Sequence, residues 1–143
     1  MPLPSLTLSS QQISSLYAMG YHFYRNGKYE DAKPIFRLLS TVQADDRKHW
    51  LGLAGCYQML KEYKAAIECY SVAAIQNPND PYPHWHAAEC FYRSNHKEKA
   101  FTTLNSAIEI AQLDVIKFQP LISQLQLIRQ VWKNKSSEAQ ELV

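Results

Sequence analysis

Shifted against itself by 34 residues, the chain meets itself in chemical type, column after column. Ala32, Ala66 and Ala100 coincide. Gly20, Ala54 and Ala88 coincide and are all small. Phe23, Tyr57 and Phe91 are all aromatic; Phe36, Tyr70 and Leu104 are all large; Leu39, Ala73 and Ala107 are all apolar. Such a period marks stacked units, none of which can bury its apolar face alone, so at least three must pack together. The 143 residues hold three units and a remainder.

The middle unit carries, in order, Trp50, Leu53, Ala54, Tyr57, Ala66, Tyr70 and Pro78, which is the tetratricopeptide signature. The outer units are looser: Leu16 and His84 replace the Trp, and Ala44 and Gln112 replace the Pro. The expected fold class is therefore all-α, with three tandem tetratricopeptide repeats wound as a right-handed helical superhelix and closed by a C-terminal capping helix. First helices are expected over about 10–25, 46–59 and 80–93, and second helices over about 29–41, 63–76 and 97–111. Breaks fall at "RNGK", "TVQADD", "QNPNDPYP" and "RSNH", which are rich in turn formers. Pro34 lies inside the first second-position helix, where a bend is expected. A seventh helix spans about 115–134, with Leu121, Leu125, Ile128 and Trp132 on one stripe and Pro120 in its first turn. The organisation reads as an extended segment over 1–9, one domain over 10–134 (repeats at about 13–46, 47–80 and 81–114, cap at 115–134) and a frayed tail over 135–143.

Composition excludes several classes. Apolar residues make up 46% and charged residues 20%, so the chain folds. The net charge of +2 comes from scattered basic residues, which is no nucleic-acid footprint. No apolar run reaches the ~20 residues of a membrane span, and the start lacks a basic segment followed by an apolar one. A soluble, cytoplasmic protein is expected, without membrane insertion. Cys56, Cys69 and Cys90 have neither disulfide nor zinc spacing and read as buried small apolar thiols.

The stretch "LYAMGYHFYRNGKYEDA" holds more aromatics than one packing stripe needs. Leu16, Met19, Gly20 and Phe23 occupy the packing positions. Tyr17, Tyr21 and Tyr24 recur at i, i+4 and i+7 on another face. The equivalent positions are Leu51, Gly55 and Gln58 in the second repeat and Trp85, Glu89 and Tyr92 in the third, with Gly52 in the neighbouring row. The inferred concave groove has aromatic flanks and a floor of Gly52 and Gly55. A mid-helix Gly costs about 1 kcal/mol relative to Ala. Either a ligand backbone lies close there or a neighbouring helix does. Such a groove suits an extended peptide with apolar anchors.

No constellation for catalysis is present. His84 and His86 are two apart and point to different helix faces, so neither a metal site nor a cofactor is expected. His86 and Cys90 lack a third group to orient the histidine, and there is no phosphate loop. The chain reads as a binding module and not an enzyme.

"GKYEDA", "LGL-G-C" and above all "HAAEC", within "LYAMGYHFYRNGKYEDAKPIF", "WLGLAGCYQMLKEYKAAIECYSVAA" and "PHWHAAECFYRSNHKEKA", resemble the class II chaperones of type III secretion over about residues 13–132. The resemblance implies a protein of the bacterial cytoplasm that binds hydrophobic translocator proteins without ATP, keeping them soluble, unassembled and secretion-competent. It implies that a Pro-x-Leu-x-x-Pro type segment of the translocator lies in the concave groove. The family's groove aromatics match Tyr17, Tyr21, Tyr24 and Tyr29, with Leu51 and Trp85 in equivalent rows. Members often form homodimers through an N-terminal helical segment. Only about a dozen residues precede the first repeat here, so either that segment is trimmed or the dimer differs. Some members also bind transcription activators. The "PLPSLT" start is similar to the segment such a groove binds. The alternative is a generic tetratricopeptide scaffold or co-chaperone that clamps a terminal carboxylate. Tyr17, Tyr21 and Gly52 occupy the positions where such a clamp resembles a set of Lys, Asn and Arg.

Overall fold

A computed structural model describes residues 7–141. Seven helices account for them: α1 (Ser10–Arg25), α2 (Tyr29–Val42), α3 (Arg47–Met59), α4 (Tyr63–Gln76), α5 (Tyr82–Arg93), α6 (Lys97–Gln112) and α7 (Val115–Glu141). The first six lie within two residues of the expected bounds. Most of "PLPSLT" lies outside the described residues. The chain divides after Asn77 into two units, residues 1–77 and 78–143, within what the sequence reads as one domain. The boundary falls in "QNPNDPYP", where Pro78 and Pro81 leave the backbone short of helical donors.

The turns inside each repeat obey the same period. Gly27, Lys61 and Asn95 all have positive φ, at 73°, 62° and 67°. The following amide reaches back to the aromatic column: Lys28 N–H to Phe23 O at 2.9 Å, Glu62 N–H to Tyr57 O at 2.8 Å, His96 N–H to Phe91 O at 2.8 Å. This is the left-handed helix stop that satisfies orphan carbonyls. The α3–α4 turn carries none of the usual turn residues at that position, and the period alone places it.

In unit one, a capping box starts α1. The Ser9 hydroxyl accepts from Gln12 N–H at 3.1 Å, and the Gln12 side chain accepts from Ser9 N–H at 2.8 Å. The Asp46 carboxylate caps α3 by accepting from Lys48 N–H at 3.2 Å. The repeat columns form the core: Ala32, Phe36, Leu39, Ala54, Ala66, Tyr70 and Ala73 are buried. Trp50 and Gln76 both donate to the Ala44 carbonyl, at 2.7 and 2.8 Å, which ties α3 and α4 to the loop before α3.

The packing face of α1 differs from expectation. Only Gly20 is buried. Leu16 and Phe23 are half-buried and Met19 is 50% exposed. Leu8, Leu16 and Met19 line an open groove of about 640 Å³ along this flank. The corresponding Leu53 of the second repeat is buried: α3 packs closely against both α2 and α4, whereas α1 packs closely against α2 alone.

In unit two, α5, α6 and α7 enclose Ala88, Ala100, Leu104, Ala107, Ile108, Ala111, Phe118, Leu121, Ile122, Leu125 and Trp132. Phe118, Leu121, Ile122 and Leu125 stand 34 residues after His84, Ala87, Ala88 and Phe91. α7 therefore takes the place of a fourth first-position helix. It runs to Glu141, so residues expected in the frayed tail from 135 onward are helical through 141. Pro120 is the sixth residue of α7, in its second turn and not its first, and Pro34 is likewise the sixth of α2. Both are exposed, where water can take up the carbonyl that a proline leaves unpaired.

Candidate functional site

The aromatic surplus of α1 is arranged on unit one in two clusters. Tyr17 stacks on Tyr21 at 6.2 Å and meets Phe36 and His49 edge-on at 6.0 and 5.7 Å. The Lys48 ammonium lies 5.1 Å from the Tyr17 ring centre, and the Arg25 guanidinium 5.7 Å from that of Tyr21. Tyr17 is thus half-built into the core, whereas Tyr21 is 49% exposed. Tyr24 meets Tyr29 edge-on at 5.2 Å. Burial pushes the Tyr24 phenol above its ordinary value, with Tyr29 and Cys56 adding to the rise.

Gly52 and Gly55 have a reason inside the protein. A methyl on Gly52 would stand 2.5 Å from two ring carbons of Phe36. One on Gly55 would stand 2.9 Å from the Tyr24 hydroxyl oxygen and 3.0 Å from a ring carbon. Both glycines therefore face a close approach from a neighbouring helix: α2 supplies Phe36 at Gly52, and α1 supplies Tyr24 at Gly55. Leu51 and Gln58 are half-buried on α3, and the Tyr70 hydroxyl donates to Gln58 Oε1 at 2.7 Å.

On unit two, the equivalent row is met by Trp132 of α7. Tyr92 stacks on Trp132 with centroids 4.2 Å apart and planes 7° from parallel, and the Lys97 ammonium lies 3.5 Å from the Tyr92 centroid on the ring face. Trp85 lies 6.2 Å from the Trp132 ring, and both Trp85 and Tyr92 are half-buried. Glu89, half-buried, is 3.8 Å from Arg93. The sequence identified Trp132 as a packing residue of the cap but not as the partner of these two side chains.

The thiols are passive. Burial pushes Cys56 and Cys69 up to about 11 and Cys90 to about 12, so each stays protonated and un-nucleophilic near neutrality. Burial lowers His84 and His86 below the ordinary imidazole value. Among the described residues no group of three His, Cys, Asp or Glu could hold a metal, and no helix is long and apolar enough to cross a membrane.

Paired helices with a 34-residue period and an aromatic face define a tetratricopeptide-repeat binding module. A tetratricopeptide-repeat family model matches residues 17–81. The low calcium response locus protein H of Yersinia pestis is 32% identical over 136 residues, which is 95% of this chain and 80% of that protein. The crystal structure of PcrH with the chaperone-binding region of PopD superposes with a TM-score of 0.82 at 29% identity, over 90% of this chain and 96% of that one. The type III secretion chaperone SycD of Yersinia enterocolitica, in complex with a peptide of the translocator YopD, gives 0.81 at 30% identity, over 90% and 97%. The chain belongs to the translocator chaperones of type III secretion.

Proposed function

We propose that this protein is a chaperone of the bacterial cytoplasm that binds a hydrophobic translocator through an extended segment, keeping it soluble, unassembled and secretion-competent. It is not an enzyme, and it works as a homodimer, as the SycD dimer structures suggest by kinship. The observation that carries the reading is the exposed Tyr21, stacked on a Tyr17 that Phe36 and His49 hold in place. An aromatic left half in water on a preformed support is a binding surface awaiting apolar anchors. Kinship with chaperones solved around PopD and YopD segments supports the same occupant.

Tyr17, Tyr21, Tyr24, Tyr29, Leu51 and Gln58 receive the client segment on unit one. Gly52 and Gly55 belong to the same groove and shape its wall by admitting Phe36 and Tyr24. On unit two, the half-buried Trp85, Glu89 and Tyr92 offer less open surface, because Trp132 and Lys97 cover Tyr92 and Trp132 lies beside Trp85. Co-expression with a hydrophobic translocator tests the function. A soluble complex that co-purifies, against an insoluble translocator when expressed alone, is expected. An equally insoluble translocator in both cases contradicts it.

A further inference from the structure

α7 carries apolar side chains on two opposite faces. Phe118, Leu121, Ile122, Leu125 and Trp132 are buried. Ile116, Leu127 and Val131 are 97%, 66% and 43% exposed, with the exposed Pro120 among them. At 3.6 residues per turn, positions 116, 120, 127 and 131 fall within an arc of about 60°, turned away from the buried face. The outer flank of a capping helix is ordinarily polar. Aliphatics gathered in one stripe, unlike scattered ones, mark a contact surface.

The surroundings of the stripe define its occupant. From 115 to 137 the sequence has no Asp or Glu, but it has Lys117, Arg129, Lys133 and Lys135. On the same wheel the exposed Lys117 and Lys135 stand about 40° beyond one edge of the stripe, whereas the exposed Lys133 and Arg129, which donates to Asn105 Oδ1 at 2.9 Å, lie toward the buried face. A second copy of this basic face would meet like charge. A helix that lies on a membrane puts Trp and Phe on its lipid side, whereas Phe118 and Trp132 point inward here. What remains complementary is a protein helix with apolar anchors one and two turns apart and acidic flanks. Pro120 and Leu127 also stand 34 residues after His86 and Arg93, so the stripe continues the rows that border the assigned contact face of α5.

We propose that the outward stripe of α7 docks a helical, acidic-flanked apolar segment of the same client whose extended segment the tyrosine face holds. This rests on the chaperone reading above. The test uses the whole chain with Leu127→Ser and Val131→Ser together, and separately with Lys117→Glu and Lys135→Glu. Binding is titrated against a full-length translocator in mild detergent and against a synthetic peptide of its Pro-x-Leu-x-x-Pro segment. Both variants should melt like the wild type and bind the peptide equally well, yet bind the full-length client at least about tenfold more weakly, the Glu pair most at low salt. Full-length binding at wild-type strength by both variants overturns the α7 site alone. Loss confined to anionic vesicles, or a change only in the mass of the free protein, also overturns it in favour of a lipid or a second copy. A wild type that binds neither probe sinks the chaperone reading and this site with it.

Discussion

The ring of Phe36 fills the space that a side chain at position 52 would need: a methyl there would lie 2.5 Å from two ring carbons and 2.8 Å from a third. Phe36 is 2% exposed and has nowhere to withdraw. Overpacking of this kind costs about 1–3 kcal/mol, against about 1 kcal/mol regained from helix propensity. Gly52→Ala should therefore lose net stability, by up to roughly 2 kcal/mol in urea titration. Because Phe36 supports Tyr17, client binding should weaken too. Unchanged stability would show that the α2–α3 contact is looser than the structure has it.

Lys61 offers the opposite sign. Its φ of 62° is left-handed, where an ordinary L-residue is strained by about 1–2 kcal/mol. Gly27 avoids that strain at the equivalent turn, and Asn95 tolerates it better than Lys does. Lys61→Gly should raise stability by about 0.5–1 kcal/mol after the extra freedom of the unfolded chain is subtracted. Thermal melting reads the difference.

His49 makes stability depend on pH. It is wholly buried, its Nε2–H donates to Gln43 Oε1 at 2.8 Å, and its Nδ1 has no partner. Burial lowers its pKa and Lys48 adds to this, with Asp46 working against them. A depressed imidazole favours the neutral folded form, so its stabilisation is complete above the unfolded value of about 6.5 and is lost as pH falls below that. His84 and His86 are depressed in the same sense. Urea midpoints should fall between pH 7.5 and pH 5.5, and His49→Gln should remove part of that slope. A midpoint that rises on acidification would contradict the assignment.

Much of the fold was legible because a repeat reports equivalence. Ala32, Ala66 and Ala100 share one fully buried environment. Gly27, Lys61 and Asn95 share one backbone conformation that composition would have given only for two of them. Carried one step further, the same period yields Phe118, Leu121, Ile122 and Leu125. What equivalence does not report is the identity of a neighbour. Gly52 and Gly55 announce a close approach, but not that Phe36 and Tyr24 make it. Trp85 and Tyr92 align with the tyrosines of α1, yet α7 brings Trp132 over them. Met19 sits at a packing position of the repeat, and what flanks that position changes along the array.

The central claim is that the exposed half of the tyrosine cluster is a client surface, and Tyr21 isolates it. Tyr21→Ala removes a side chain that is 49% exposed, so the melting temperature should hardly move. An anchor that loses its aromatic partner forfeits about 1.5–3 kcal/mol, or roughly ten- to a hundredfold in Kd. Calorimetric titration of the wild type and Tyr21→Ala with a Pro-x-Leu-x-x-Pro translocator peptide should show that loss at equal stability. Equal affinities for the two proteins would contradict the account.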